Sequence, residues 1–258
     1  MKRLAIKKLI VISQSESRSL EVPFENGLNI ILGGNKTGKS SIIKSIFTTL
    51  GCECKRIETD WKKLISAYLL FFKYGEKQFC VVRQGKKFQI FENNEDSYSC
   101  IIETETFHEY SNCLMDILEI KMPCISRDFV QIIDRTGSET PRLVYMYQSA
   151  LYLYNLYRTN SPFNFYVVDT PNQQGQDAEN LGSIFKSLEL FLSDEGQVIV
   201  GTERETGLEG KASNVIKLTE KRRCLNTINY SKHLELLEEL QKTAISWVAF
   251  NHKAKNEK

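Results

Sequence analysis

A phosphate-binding loop occupies residues 33–40, where the sequence reads GGNKTGKS. This segment matches the pattern G-x-x-x-x-G-K-[ST], in which glycines let backbone N–H groups surround phosphate oxygens without obstruction by a side chain. In such a loop Lys39 reaches the β- and γ-phosphates of a nucleotide, and the Ser40 hydroxyl binds Mg²⁺. The residues that we predict to bind nucleotide here are Gly33, Gly34, Asn35, Lys36, Thr37, Gly38, Lys39, Ser40 and Ser41.

A second feature with chemical meaning is Asp169, which ends the apolar segment FNFYVVD at residues 163–169. A carboxylate at the end of a buried strand can lie beside a phosphate loop and hold Mg²⁺, directly or through water. Strands that end in aspartate are common, so the signal gains its weight from the complete phosphate loop upstream. We therefore predict that Ser40 and Asp169 are the metal ligands.

The elements that must position these residues follow from hydrophobic periodicity. Residues 27–32 fit a buried strand and residues 40–47 fit a helix, so the glycine loop lies between a strand and a helix. The helix N-terminus adds a partial positive charge that favours phosphate. Further predicted strands are 8–13, 19–24, 62–74, 78–84, 88–92, 197–200 and 214–218, and further predicted helices are 107–118, 143–157 and 231–247.

The same patterns predict how three segments of the chain are arranged. The strands within 62–92, with turns at Gly75-Glu76 and Gly85-Lys86, predict an antiparallel β subdomain. Residues 143–157 are apolar nearly all round, which predicts a buried helix. The closing helix is amphipathic, and the predicted apolar face consists of Leu234, Leu237, Leu240 and Ile245.

The composition is that of an ordinary globular protein. The chain has 258 residues, of which 41% are hydrophobic and 26% charged, and its net charge of +2 neither requires nor excludes nucleic acid. No stretch approaches the length of a membrane span, and residues 1–8 lack the apolar part of a signal peptide. Seven cysteines without a C-x-x-C pair indicate reduced thiols, so we predict a cytoplasmic protein with no membrane partner.

Taken in order, these motifs resemble the ABC-type ATPase heads of the SMC and RecF/RecN group. The opening GLNIILGGNKTGKSSIIKSI is similar to that group's G-L-N-x-I-x-G-x-N-G-x-G-K-S, and the run VVDTPNQQGQD is most similar to SMC-like subunits of bacterial anti-phage systems of the Lamassu kind. The resemblance implies an α/β fold of the P-loop NTPase class, of ABC-ATPase (SMC-like head) type, with an antiparallel β subdomain in the N-terminal lobe.

The resemblance also implies a division of the chain and a second half of the nucleotide site. Residues 1–122 would form the N-terminal lobe with the phosphate loop, 123–135 the junction where a coiled coil would be inserted, and 136–258 the C-terminal lobe. The signature of the group corresponds to Thr136, Gly137, Ser138 and Glu139, some thirty residues before Asp169, and its D-loop acid corresponds to Asp177.

In such heads the signature of one protomer binds the γ-phosphate held by the other, so the implied assembly is a homodimer through an ATP sandwich. The implied cofactors are ATP and Mg²⁺. Double-stranded DNA would lie across the joined heads, and partner subunits of a defence complex fit the Lamassu resemblance. The candidate DNA-binding clusters are Lys2/Arg3/Lys7/Lys8, Lys62/Lys63, Arg83/Lys86/Lys87 and Lys221/Arg222/Arg223.

Three departures from the group affect the expected activity. Residues 93–135 contain no heptads that could form the coiled coil, so we expect either a bare head or a head-only version with the coil removed. Thr170 occupies the position of the catalytic glutamate, and threonine cannot act as a general base. Glu203 occupies the position of the switch histidine, where it either polarises water or pairs with Arg204 or a nearby lysine on the surface. We therefore expect a slow ATPase whose catalytic residues are Lys39, Asp169 and Glu203.

Two other functions remain open on the sequence alone. A P-loop kinase acting on a small substrate would need a lid that carries arginine, and none is evident. A regulatory module that binds ATP without hydrolysing it is favoured by Thr170.

Overall fold

Two β-sheets of different kinds form the framework of the computed structural model. One has six antiparallel strands, and the other has four parallel strands. This mixed α/β arrangement confirms the predicted fold class. The structure describes residues 2–52, 59–94, 97–120, 139–158, 164–169, 185–186, 188–191, 196–219 and 224–256.

The antiparallel sheet consists of a four-stranded meander and, at one edge, the first two strands of the chain. Its order is β2-β1-β4-β5-β6-β7. Gly75 and Gly85 have φ angles of 61° and 59° in the tight turns that follow β4 and β5, where the sequence predicts turns. The strands are β1 (Leu4–Ser13), β2 (Arg18–Pro23), β4 (Ala67–Tyr74), β5 (Lys77–Gln84), β6 (Lys87–Asn94) and β7 (Ser97–Thr104).

The parallel sheet has the order β10-β3-β9-β8. Because all four strands run in the same direction, their carboxyl ends meet at one edge of the sheet. That edge gathers the end of the strand before the phosphate loop and the end of the strand that carries Asp169. The strands are β3 (Gly27–Gly33), β8 (Phe165–Asp169), β9 (Gln197–Thr202) and β10 (Asn214–Leu218).

Five helices in the described part of the chain pack against these sheets. Three of them cover regions where the sequence predicts helices downstream of the phosphate loop, at 107–118, 143–157 and 231–247. A short 3₁₀ helix spans Leu188–Phe191. The helices are α1 (Lys39–Thr49), α2 (Thr59–Leu64), α3 (Phe107–Ile117), α4 (Glu139–Arg158) and α5 (Tyr230–Asn256).

The sequence assignment is wrong at two places in the N-terminal half. Residues 62–64 belong to α2 rather than to a strand, because Trp61 turns its ring into the core and its Nε1–H donates to Ser45 Oγ of α1 at 3.2 Å. Strand β7 is absent from the prediction. Its segment SYSCIIET mixes polar and apolar residues, and its identity as a strand depends on its pairing with β6 and its contact with α5.

Over residues 148–157, whose side chains the structure describes, helix α4 is buried on one face only, which corrects the prediction of complete burial for that part. Tyr152 and Leu156 pack against the parallel sheet and are 4% and 2% exposed. Leu151, Tyr154 and Tyr157 lie on the opposite face and are 46%, 57% and 56% exposed. A helix that lies on a sheet can bury only the stripe that faces it, even when its other residues are also apolar.

Helix α5 packs on the antiparallel sheet through a face that differs in part from the predicted one. Leu237, Leu240 and Ala244 are fully buried against the sheet, whereas Ile245 is 66% exposed. Each residue turns an α-helix by about 100°, so Ile245 cannot share the face of its neighbour Ala244. His233 is part of the buried face and joins α5 to β2, because its Nδ1 lies 2.7 Å from Ser19 Oγ.

Helix α1 lies between the two sheets and belongs to the core of both. Ile42, Ile43 and Ile46 are buried in one cluster with Leu9 of β1 and Ile199 of β9. The apolar face of α1 therefore fixes the distance between the sheets, and its N-terminus is carried to the edge where the parallel strands end.

A buried glutamine joins the two sheets by hydrogen bonds. Gln197, at the start of β9, is 1% exposed. Its Oε1 accepts from the Ile6 N–H at 3.0 Å, and its Nε2 donates to the carbonyls of Ile6 at 2.7 Å and Glu25 at 2.9 Å. The pairing of β1 with β2 ends at Lys8 and Pro23, so the side chain of Gln197 serves Ile6 where β2 no longer does.

We predict that Gln197→Ala destabilises the fold by about 3 kcal/mol, because three buried backbone groups lose their partner at roughly 1 kcal/mol or more each. Urea titration of the free energy of unfolding measures this. Gln78→Ala is the matched control, because Gln78 is exposed on β5 and its loss should cost less than about 0.5 kcal/mol. Equal losses for the two variants would show that Gln197 does not hold the sheets together.

Candidate nucleotide-binding site

The phosphate loop runs from the end of β3 to the start of α1 and depends on its glycines. A Cβ on Gly33 would lie 2.6 Å from Thr37 Oγ1 and 2.9 Å from the carbonyl oxygen of Leu218 in the neighbouring strand. Gly38 precedes the first helical residue with a φ angle of 101°, which side chains rarely allow. The loop can therefore take this path only with glycine at these two positions.

Lys39 is held inside the loop by the loop's own carbonyl groups. Its Nζ donates to Gly33 O at 2.6 Å and to Gly34 O at 2.8 Å, and Thr37 Oγ1 donates to Gly34 O at 2.9 Å. Burial lowers the pKa of Lys39, whereas the carboxylates of Glu203 and Asp169 act in the opposite direction. The ammonium group is thus fixed in position among the backbone groups that would surround phosphate.

Ser40 and Asp169 are brought together from segments 129 residues apart in the chain. Ser40 lies in the first turn of α1 and Asp169 ends β8, and Ser40 Oγ donates to Asp169 Oδ1 at 3.0 Å. A hydroxyl and a carboxylate oxygen side by side are hard oxygen donors of the kind that Mg²⁺ prefers. These two residues therefore fit the metal that the sequence predicts, and they could hold it beside the phosphate loop.

Gly201 of β9 is a residue of the site that the sequence reasoning missed. A Cβ at this position would lie 2.9 Å from Ile43 Cδ1, 3.5 Å from Asp169 Oδ1 and 3.8 Å from Lys39 Cβ. The glycine therefore lets α1 approach the end of the parallel sheet closely. The signal was available in the sequence, since a glycine that interrupts a run of β-branched strand residues often marks such an approach.

Glu203 follows β9 at the same edge of the sheet and is partly buried. Its charge acts on Lys39, so its carboxylate lies in the electrostatic environment of the phosphate loop. Thr202 Oγ1 accepts from the Arg204 N–H at 3.2 Å and donates to Arg204 O at 2.8 Å, which fixes the turn around Glu203. Glu203 forms no ion pair with Arg204 among the described residues, and its catalytic role stays a prediction.

Several predicted site residues lie outside the described residues. These are the three signature residues before α4 and two residues after Asp169, and their assignments stay predictions. Glu139 is described only through its backbone, as the first residue of α4. The predicted boundary between the two lobes also lies outside. The undescribed site residues are Thr136, Gly137, Ser138, Thr170 and Asp177.

Five residues of the basic clusters in the described part of the chain have an acidic side chain or a backbone carbonyl as a partner. Lys2 pairs with Glu119, Lys8 with Glu21 at 3.6 Å, and Lys87 with Glu103 at 3.0 Å. Two arginines of these clusters donate to backbone carbonyls, Arg3 to Leu156 and Arg83 to Thr48. Lys62 and Lys63 are exposed on α2 and form no ion pair within the described residues, and Lys7 and Lys86 likewise form no ion pair there. The predicted cluster Lys221/Arg222/Arg223 lies outside the described residues.

No helix among the described residues is long and apolar enough to cross a membrane. The same part of the chain contains no group of three or more histidine, cysteine, aspartate or glutamate residues that could hold a metal ion.

We predict that Gly33→Ala lowers the free energy of unfolding by about 1–3 kcal/mol, because the new methyl group would contact the backbone of Leu218. The measurement is urea titration without nucleotide. Gly34→Ala is the control from the same loop, because a Cβ on Gly34 meets nothing within 4 Å, and its effect should stay within about 0.5 kcal/mol. If both variants unfolded like the parent, the close approach of β10 to the loop would be incorrect.

Comparison with known proteins gives two sequence relatives of related kinds. The chain is 31% identical over 121 residues to the Lamassu protein LmuB of Bacillus cereus, which covers 45% of this chain and 20% of LmuB. It is 32% identical over 89 residues to the DNA double-strand break repair Rad50 ATPase of Nanoarchaeum equitans, which covers 33% of this chain and 10% of Rad50. The chain thus spans a fifth of the first relative and a tenth of the second.

Among solved structures, the SMC head domain from Thermotoga maritima covers 82% of this chain and 94% of its own, with 16% identity and a TM-score of 0.46. No protein-family model matches the chain. Both sequence relatives are of the SMC-like kind that the motifs predict, and LmuB is also of the Lamassu kind that the run VVDTPNQQGQD predicts. The two sequence relatives confirm the resemblance of the chain to the SMC-like group of ATPases.

Proposed function

We propose that this chain is an SMC-like ATPase head that binds ATP and Mg²⁺, dimerises on ATP and clamps or senses DNA. The observation that carries the proposal is the contact of Ser40 Oγ with Asp169 Oδ1 at 3.0 Å, at the N-terminus of α1 and beside the fixed ammonium group of Lys39. A phosphate loop, a lysine and a pair of metal ligands are the parts that nucleoside triphosphate binding requires.

Each residue of the site has a distinct task in this proposal. The N–H groups of the loop and the first turn of α1 bind phosphate oxygens, and Lys39 adds a charge at the β- and γ-phosphates. Ser40 and Asp169 hold Mg²⁺, which offsets the negative charge of the phosphates when it is bound. Glu203 accepts a proton from water or orients it, because Thr170 has no group that is basic at neutral pH.

Dimerisation follows from the signature-like segment at the start of α4. The segment 136–139 precedes or begins a helix of 20 residues, so its N–H groups would form an anion site at a helix N-terminus. If it binds the γ-phosphate held by the partner protomer, then ATP joins the two copies, with Asp177 near the joint. Loss of the γ-phosphate would release the dimer, which makes the nucleotide a switch.

The proposed setting is bacterial anti-phage defence or DNA maintenance in the cytoplasm, in company with partner subunits. Its support lies in the names of the relatives, a Lamassu protein and a DNA double-strand break repair ATPase. For DNA contact we propose Lys62 and Lys63 of α2, because they are exposed and have no acidic partner within the described residues. Phosphate contacts of this kind weaken with added salt.

The proposal is tested by the mass of the chain in solution, with and without ATP and Mg²⁺, together with calorimetric titration of ATP. We expect a monomer that becomes a dimer on ATP. Lys39→Ala should abolish both binding and dimerisation, because it removes the charge at the phosphates. Ser138→Arg should bind ATP with the parent affinity and remain a monomer, because the arginine would obstruct the trans contact.

The alternatives give different outcomes in the same experiment. A kinase acting on a small substrate would bind ATP and stay monomeric. A regulatory module would dimerise without turnover, as Thr170 suggests. Dimerisation of Ser138→Arg, or an unchanged ATP affinity in Lys39→Ala, would contradict the proposed site.

We further predict that Glu203→Gln reduces turnover about a hundredfold, as for loss of a general base, and accumulates an ATP-bound dimer. Phosphate release under single-turnover conditions and light scattering measure the two effects. Glu205→Gln, two residues further along and exposed, is the control and should hydrolyse ATP at the parent rate. Parent turnover in Glu203→Gln would place the base elsewhere or leave the head without one.

A further inference from the structure

Lys36 holds a backbone conformation in the phosphate loop that disfavours lysine. Its φ angle is 65°, in the left-handed region where only glycine is free of steric cost. The pattern that the loop resembles has glycine at this position. The other described residues of this kind have local explanations, since Ser17 belongs to the turn between β1 and β2, and the N–H of Glu119 caps the end of α3.

Among the described residues, no ion pair accounts for a lysine at position 36. The side chain of Lys36 is exposed, and among the described residues its ammonium group forms no ion pair. Many other lysines of that part do have acidic partners. The paired lysines are Lys2, Lys8, Lys73, Lys77, Lys87 and Lys211.

The charge around the phosphate loop provides a reason. Lys39 is the buried cation of the site, and the carboxylates of Asp169 and Glu203 both act on it. The three side chains together carry a net negative charge, although the ligand is a highly charged anion. Mg²⁺ offsets part of this repulsion, and a second ammonium group on the loop itself would offset more.

We propose that Lys36 is a phosphate-binding residue that contacts the γ-phosphate of the nucleotide bound to its own chain. This assignment rests on the proposed function and adds one binding residue to the same site. Lys36 lies three residues before Lys39, so its flexible four-carbon stem can carry the ammonium group over the loop. Strained backbone that the fold maintains at a ligand site is a recurrent mark of function.

The test compares calorimetric affinities for ATP and ADP, both with Mg²⁺, in three variants. Lys36→Gly restores the residue that the backbone favours and removes the charge. Lys36→Asn tolerates the left-handed region without a charge, and Lys36→Arg keeps the charge. We expect Lys36→Gly and Lys36→Asn to weaken ATP binding about tenfold, the size of one charged hydrogen bond. ADP binding should change less than about twofold in both, and Lys36→Arg should resemble the parent.

The melting temperature of the Lys36 variants distinguishes a phosphate contact from a structural role of Lys36. Lys36→Gly relieves the backbone, so its melting temperature without nucleotide should equal or exceed that of the parent, although its ATP affinity falls. Lys77→Asn, on the exposed face of β5, is the charge control and should leave both affinities unchanged. Unchanged ATP affinity in Lys36→Gly, or an equal loss of ATP and ADP affinity, would overturn the assignment.

The same titration in the Ser138→Arg background shows whether Lys36 contacts the nucleotide of its own chain or that of the partner protomer. A contact within one chain keeps the selective loss of ATP affinity in this monomeric variant. A loss seen only when the chain can dimerise would place the contact across the dimer and contradict the proposal. If the parent chain binds no ATP at all, then the proposed function fails as well, so the two failures can be told apart.

Discussion

Helix α1 must bury its apolar face between two sheets and still leave its first turn open to a ligand, and the rest of the structure is arranged around this constraint. Its isoleucines pack against strands of both sheets. The sheets therefore cannot move relative to each other without disturbing the helix that begins the phosphate site. Gln197 secures the same relation from the opposite end of β9, through hydrogen bonds to two carbonyls and one N–H.

The two ends of α1 are treated in opposite ways. At its C-terminus, the guanidinium of Arg83 donates to Thr48 O while lying 4.8 Å from the ring centroid of Phe88, and Tyr110 OH donates to Thr49 O at 3.2 Å. A cation and a hydroxyl thus satisfy the carbonyls where the helix has its partial negative charge. At the N-terminus the backbone N–H groups remain available to an anion. The antiparallel sheet therefore holds the C-terminus of the helix whose N-terminus forms the phosphate site.

The edge of the parallel sheet concentrates acids near this anion site. Asp169 is already engaged by Ser40, and Glu203 lies after the adjacent strand. Such an arrangement favours a ligand that brings its own cation, because carboxylates alone would repel phosphate. It also increases the contribution of each loop lysine to phosphate binding. The net charge of the site therefore depends on two acids, the loop lysines and the metal.

The order of the motifs and the strong apolar periods could be read from the sequence, because they depend on local patterns. The phosphate loop, the strand ending in Asp169 and the span of β10 are of this kind. Strand β7 and helix α2 could not be predicted, since their short segments are decided by pairing with β6 and by the burial of Trp61. The exposed face of α4 likewise depends on how much sheet surface is available to cover it.

For the site, the sequence by itself determined the phosphate-loop motif and the strand that ends in Asp169. Only the tertiary structure decided that Ser40 and Asp169 meet at 3.0 Å, that Gly201 lets α1 approach the end of the parallel sheet, and that Lys36 has a left-handed conformation. The physical reason is that a motif fixes chemistry over a few residues. Distances between residues far apart in the chain are set by strand order and by the packing of α1 between the sheets.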